Sequence, residues 1–359
     1  MKTDGFFGAC GAIFLSVRIR WHPFSSVSKT LKSVPLALAL LTSACAPVVI
    51  EAGPPVDEPR FEDHRAVMAD GLSLPLRSWL PARAKAVVVA VHGFNDYSEA
   101  FDDVGPPLAA QDIAVYAFDL RGFGEAPGRG YWAGQQVMAD DLATVARLAA
   151  ARHPGLPLYL LGESMGGALV MTAMTDRPHP PVAGVILAAP AVWNRDSMTI
   201  FERAALWLAS HTMPWLTLTG QGLNIRPSDN DEMLKKLSRD PLIIKETRVD
   251  AIHGLCDLMD DAAAAAPRLH VPALILYGEH DEVVPAEPTY RMMAHLPNNP
   301  VPQRKAVYAN GYHMLLRDLQ GKLVIDDIAW WISRPGEALP SGADRRAAEI
   351  LASRRQMDE

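Results

Sequence analysis

The sequence predicts an α/β protein: a mostly parallel central sheet, flanked by helices and interrupted by one inserted helical cap. Three observations lead there. Short apolar runs rich in Val, Ile and Leu, such as Ala86–Val91, recur along the chain, and strands without polar alternation are those covered on both faces of a sheet. Helix-forming intervals separate these runs, the alternation that builds parallel sheets. From Ala191 to Pro267 the alternation stops, and aromatic and methionine residues gather around Trp193, Phe201, Trp207 and Trp215.

Taken in order, residues 63–80 read as an opening hairpin with Asp70-Gly71 as its turn. Strands are expected at residues 86–91, 113–118, 157–161 and 183–188, with helices near 98–110, 134–152 and 165–175 between them. After the cap come strand-like runs at Leu274–Tyr277 and Ala306–Tyr308, a helix over Glu287–Leu296 and an apolar segment, Val324–Ile332, suited to packing on the sheet. Residues 342–356 read as a surface helix or a frayed tail. The expected division is a core of residues 61–190 and 268–333, a cap of 191–267 and a tail of 334–359.

The chemistry-bearing pattern lies at the end of one of these strands, in Leu160-Leu161-Gly162-Glu163-Ser164-Met165-Gly166-Gly167. A serine set between glycines at a strand-to-helix step is a nucleophile elbow. Gly162 and Gly166 keep side chains out of the sharp turn, and Gly167 lets the following helix approach the sheet. Two further strand ends carry an acid and a histidine, in Gly278-Glu279-His280-Asp281 and Asn310-Gly311-Tyr312-His313. The chain order is therefore Ser164, Asp281, His313.

Those residue types belong together chemically. A serine hydroxyl is a weak nucleophile at neutral pH, so His313 is expected to take its proton and later return one to the leaving group. Asp281 would hold the other ring nitrogen and offset the imidazolium charge. Glu279 and Asp257 are the rival acids. Backbone amides of Met165 and Phe94, the latter just beyond His92-Gly93, are the expected oxyanion donors. His92 reads as a structural support for that loop, and His280 and His253 as ordinary polar residues. Trp193, Trp207 and Trp215 are candidates for an apolar substrate pocket under the cap, with interior packing as the alternative for each.

Together these segments resemble the monoacylglycerol lipase and lysophospholipase branch of the α/β-hydrolases, grouped with serine aminopeptidase-like proteins. The likeness is carried by His92-Gly93-Phe94, Asp119-Leu120-Arg121-Gly122-Phe123-Gly124, Gly162–Gly167, Gly278–Pro285 and Gly311-Tyr312-His313. It implies an eight-stranded sheet with a helical cap after the sixth strand, and the same Ser164, Asp281, His313, Phe94 and Met165 in the roles given above. One departure is Glu125, where relatives carry serine after the glycine turn. It adds negative charge beside a loop expected near the substrate.

The chain has 359 residues, 49% hydrophobic and 21% charged, enough for one substantial core. A net charge of −7 gives no support to a nucleic-acid partner. No zinc cluster, Walker loop or dinucleotide fingerprint appears, so neither metal nor cofactor is expected. The expected activity is serine-dependent hydrolysis of a lipid ester, a monoacylglycerol or lysophospholipid. A broad carboxylesterase, thioesterase or peptidase is the alternative within the same chemistry, and a non-catalytic envelope binding protein the alternative outside it.

The amino terminus predicts export. Arg18, Arg20, Lys29 and Lys32 precede the apolar run Val34–Leu41, and Thr42-Ser43-Ala44-Cys45 follows. A basic head, a short apolar stretch and small residues before a cleavage point make a signal segment, here residues 1–44. Cys45 then reads as the lipidated first residue of an envelope lipoprotein facing the periplasm, with a cytoplasmic protein as the alternative. Residues 45–60, rich in Pro and Gly, are expected to form a tether.

Overall fold

The computed structural model describes residues 46–175, 181–220, 222–297 and 302–358. The signal segment and Cys45 lie outside the described residues. The main sheet has nine strands: β1 (Arg60–Glu62), β2 (Arg65–Val67), β3 (Ser73–Trp79), β4 (Ala86–Val91), β5 (Ile113–Phe118), β6 (Leu158–Glu163), β7 (Gly184–Ala188), β10 (Ala273–Gly278) and β11 (Gln303–Tyr308). Two short strands, β8 (Thr217–Thr219) and β9 (Glu246–Arg248), form a separate antiparallel pair in the inserted segment. Spatial order in the main sheet is β1-β2-β3-β5-β4-β6-β7-β10-β11, with the first three strands antiparallel and the rest parallel. One strand more than expected is present: β1 pairs with β2, and the ring of its central residue, Phe61, stacks on Tyr116 with centroids 5.2 Å apart.

Strand β4 shows how the sequence builds the layers. All six residues are buried. Its side chains alternate, so Val87, Val89 and Val91 enter the core on one face while Ala86, Val88 and Ala90 enter the core on the other. The first core is closed by helices α2 (Gln135–Arg152), α3 (Met165–Ala173) and α6 (Val249–Ala265); the second by α1 (Gly105–Ala109) and α8 (Gly321–Ser333). Every residue of α3 is buried, because it lies between the sheet and α6.

Two expectations take a different form, and for the tail the helix is the alternative observed. The single helix expected at 98–110 is a 3-10 turn, Ser98–Phe101, followed by the short α1. Pro106 and Pro107 supply no N–H and fit only the first helical turn, so the helix restarts there. The tail is an ordered helix, α9 (Ala343–Asp358), with Ala347 fully buried and Arg304 paired to Asp344 at 2.9 Å. The segment expected as a tether runs along the body: Val49 bridges to Trp132, Val48 N–H donates to Asp250 at 3.3 Å, and the Val56 and Asp57 amides donate to the Ala69 carbonyl. Backbone donors that meet such acceptors are held in place.

Between β7 and β10 the chain inserts α4 (Ile200–Thr212), the β8–β9 pair, α5 (Asp231–Arg239) and α6, followed by α7 (Ala286–His295) after β10. α4 starts on a capping box in which Thr199 and Glu202 exchange hydrogen bonds. Within the segment read as cap, α6 packs along α3 of the core. The parallel register places Val91, Gly162, Leu187 and Ile275 side by side, and Gly278 beside Tyr308. The loops leaving β4, β6, β10 and β11 therefore start at one edge of the sheet.

Candidate active site

Ser164 stands at that edge, between β6 and α3, with φ 52° and ψ −115°. A left-handed φ is costly for a residue with a Cβ and persists only where the surroundings impose it. Here they do: the Ser164 amide donates to the Ala188 carbonyl at 2.9 Å, and its carbonyl accepts from Ala168 and Ala191. The glycines make room for the turn. A Cβ on Gly162 would overlap the backbone of Gly166 and Gly167, and one on Gly166 would overlap the Val91 carbonyl. Gly167 faces Pro190, and Gly93 lies in ordinary contact range of the Ser164 side chain.

His313, 8% exposed, comes from the loop after β11, and Asp281 from the loop after β10. Nδ1 of His313 is 2.8 Å from Asp281 Oδ2, and Nε2 is 3.0 Å from Ser164 Oγ. An ionised carboxylate only accepts, so Nδ1 carries the ring proton and Nε2 is left to accept from the serine hydroxyl. Asp281 Oδ1 is occupied separately, by the amides of Val283 at 2.8 Å and Val284 at 2.9 Å. Burial disfavours the imidazolium, but the charge and hydrogen bond of Asp281, helped by Glu163, outweigh it and raise the His313 pKa above its ordinary value. A hydroxyl, an imidazole and a carboxylate in this line are arranged for proton removal from the hydroxyl.

The rival acids point elsewhere. Glu279 pairs with Arg346, and Asp257 with Arg195 at 2.7 Å and His253 at 3.2 Å. The His280 ring lies against Tyr312, with centroids 5.3 Å apart. His92 is fully buried and supports the loop after β4: Leu120 N–H donates to Nε2 at 3.0 Å, so Nδ1 donates to the Gly93 carbonyl at 2.8 Å. Burial lowers its pKa, which keeps it neutral in that position. Phe94 packs edge-on against Phe123 and Trp132. Among the described residues, neither the Phe94 amide nor the Met165 amide has a hydrogen-bond acceptor. Glu125 turns its side chain to solvent, while its amide donates to Asp119 at 2.9 Å.

A cavity of about 750 Å³ opens on Ser164 and His313. Its walls are mostly apolar and come from the inserted segment: Trp193, Leu218, Leu234, Leu237, Ile244, Ile252, Leu255 and Met259. Of the three tryptophans singled out in the sequence, only Trp193 lines it. Trp207 and Trp215 are 59% and 55% exposed and lie outside. For Trp207 the reason is helical phase: α4 turns Leu206 and Ala209 inward, which leaves Ile200, Phe201, Trp207 and Leu208 on its outer side, and Trp215 follows the end of that helix. Leu234 and Leu237, in a stretch that reads as polar, were findable from their i,i+3 spacing on α5.

Three charged residues that sequence reasoning left without a role meet beside the serine. Arg317 Nη2 donates to Asp96 Oδ2 at 2.7 Å and to Glu163 Oε2 at 3.2 Å, and all three side chains are buried. Glu163 sits within the elbow motif and Asp96 two residues beyond Phe94, but nothing in the sequence indicates that Arg317 joins them.

Solved structures share this architecture. A monoacylglycerol lipase from Paleococcus ferrophilus superposes with a TM-score of 0.60 at 24% identity, covering 72% of this chain and 98% of that one. A soluble variant of the Saccharomyces cerevisiae monoglyceride lipase, in complex with a substrate analog, gives 0.63 at 18% identity, covering 80% and 98%. At these identities the likeness is one of fold. In sequence, the chain is 28% identical to the rat monoglyceride lipase, covering 78% of this chain and 93% of the relative, and 27% identical to the monoacylglycerol lipase of Mycolicibacterium smegmatis, covering 75% and 96%. The model of the family described as serine aminopeptidase, S33 (Hydrolase_4), matches residues 82–320, a span that holds Ser164, Asp281, His313 and both expected oxyanion amides, and the chain belongs to that α/β-hydrolase family.

Proposed function

We propose that this ester hydrolase cleaves the carboxylic ester of a monoacylglycerol or lysophospholipid through an acyl-enzyme on Ser164. The observation that carries the reading is the apolar cavity ending at the Ser164–His313–Asp281 relay. An acyl chain lying along Leu234, Leu255 and Met259 would gain roughly 0.8 kcal/mol per buried methylene before the costs of binding. Short polar substrates gain nothing comparable from such walls.

In the proposed reaction Ser164 Oγ adds to the ester carbonyl while His313 Nε2 takes its proton. The amides of Phe94 and Met165 receive the oxyanion. Collapse of the tetrahedral adduct expels the alcohol, which leaves with the proton from His313. Water, deprotonated by the same nitrogen, then attacks the acyl-serine and releases the fatty acid. The relatives named as monoglyceride lipases support the substrate class.

The reading includes a membrane location through lipidated Cys45, facing the periplasm. Outward-facing Ile200, Phe201, Trp207 and Leu208 on α4, followed by exposed Met213 and Trp215, favour work at a lipid surface. Among the described residues no helix is long and apolar enough to cross a membrane. Mass spectrometry of membrane-extracted protein tests the anchor; an unmodified Cys45 would remove it from the reading.

The deciding experiment is a lipid-class hydrolysis panel with fluorophosphonate labelling, using Ser164→Ala as control. Labelling at Ser164 and fatty-acid release from monoacylglycerol or lysophospholipid are expected. Folded protein with neither would favour a binding role.

A further inference from the structure

The buried cluster beside the triad joins its three loops. Asp96 belongs to the loop after β4 that carries Phe94, Glu163 immediately precedes Ser164, and Arg317 follows His313 by four residues. Asp96, Glu163 and Arg317 are 4%, 2% and 7% exposed, so none is a solvated surface charge. One guanidinium nitrogen, Nη2, reaches both carboxylates, and Asp96 Oδ1 is used separately by the Tyr97 amide at 2.8 Å. Glu163 Oε1 and Arg317 Nε have no hydrogen-bond partner among the described residues. A buried ion cluster with unmet groups is costly to build, and a stability role alone would be served as well by apolar side chains.

Charge counting gives the cluster a direction. Two carboxylates share one guanidinium, which leaves a net −1 next to His313 in addition to Asp281. The charged groups that act on His313 are Asp281 from the β10 loop, Glu163 from the end of β6 and Arg317 from its own loop. His92, across the cluster, stays neutral. Burial pushes the Glu163 carboxyl up and Arg317 pulls it back, while Glu163 and Asp96 together hold Arg317 charged against its own burial.

We propose that the Glu163–Arg317–Asp96 cluster is a positioning device that locks the Phe94 loop, the elbow and the His313 loop in register, with Glu163 as a second carboxylate favouring the His313 imidazolium as it forms. The proposal rests on the acyl-transfer reading. Arg317 acts through its partners and touches no reacting atom. Both bonds run from Nη2, whose two N–H directions are fixed in the guanidinium plane, so one side chain holds two acids from separate elements more rigidly than a freely rotating lysine ammonium would.

The test is the pH profile of kcat/KM and the separate kcat and KM of Glu163→Gln and Arg317→Lys on a soluble p-nitrophenyl ester. Removing the Glu163 charge should lower the His313 pKa, moving the acid-limb midpoint to lower pH by about half a unit to one unit. It should also lower kcat by about tenfold with KM changed less than about twofold, as expected when an interaction made only in the transition state is lost. Arg317→Lys keeps the charge but loses the fixed planar donor directions of Nη2, so kcat should fall by a similar factor while the acid limb stays in place. A Glu163→Gln profile superimposable on the parent overturns the electrostatic part, and an Arg317→Lys enzyme with parental kcat overturns the positioning part. Should one variant fail to fold, the other still decides its own part. Failure of the underlying reading looks different: the parent protein itself would neither turn over esters nor label with fluorophosphonate.

Discussion

Asp281 gives His313 only one of its two carboxylate oxygens: Oδ2 faces Nδ1 at 2.8 Å, while Oδ1 is held by the Val283 and Val284 amides. This division predicts the outcome of Asp281→Asn. Two amide donors require an oxygen at the Oδ1 position, so the new NH₂ group must turn toward His313. Nδ1 then has to accept, the ring proton moves to Nε2, and Nε2 no longer accepts from Ser164. The expected loss in kcat is roughly 10⁴-fold with the fold intact, as for tautomer-reversing changes in other triads. Steady-state kinetics beside a thermal melt measure it, and a loss below tenfold would contradict the assignment of Asp281.

The pH dependence follows from the same contact. His313 must be neutral to act as a base, and its pKa is raised above 6.5 because Asp281 and Glu163 outweigh burial. Activity should therefore be full above the raised value and lost as pH falls through it, with the acid-limb midpoint of kcat/KM above the ordinary histidine value. A midpoint at or below 6.5 would show that burial dominates.

Gly166 offers a steric test of the elbow. A Cβ there meets the Val91 and His92 carbonyl oxygens, which belong to the central strand and the loop that follows it and have little room to retreat. Gly166→Ala should cost about 1–3 kcal/mol of stability by overpacking and slow fluorophosphonate labelling. Gly336→Ala, where nothing lies within 4 Å, is the control. It should stay within about 0.5 kcal/mol in chemical denaturation.

Trp193 and Trp207 should separate pocket from surface. Trp193→Ala enlarges the cavity wall and is expected to lower kcat/KM on long-chain esters by about tenfold relative to butyrate, the equivalent of about two buried methylenes. Trp207→Ala should leave soluble short-chain esters unaffected and weaken binding to phospholipid vesicles in flotation. Equal effects of the two changes on chain-length preference would contradict the placement of Trp207 outside the cavity.

Much of the scaffold was legible in the chain itself. Strands 86–91 and 113–118 have the observed limits because β-branched and apolar runs bury all six residues wherever they sit in a sheet. The elbow was legible for a similar reason: Gly162 and Gly166 record in sequence the close backbone approach that surrounds Ser164. Pro106 and Pro107 carried the break in the helix near residue 104, although the surrounding apolar pattern suggested one continuous helix.

Sequence by itself determined the strand cores, the chain order of Ser164, Asp281 and His313 and the sharp turn at the serine, since each depends on local backbone demands. Tertiary structure alone decided that Asp281 and not Glu279 or Asp257 meets the histidine, that Trp193 and not Trp207 or Trp215 faces the cavity, and that Arg317 binds Asp96 and Glu163. The physical reason is direction. Which way a side chain points, and which charges it meets once water is excluded, depends on elements far apart in sequence, 32 residues for His313 and Asp281 and 154 for Arg317 and Glu163.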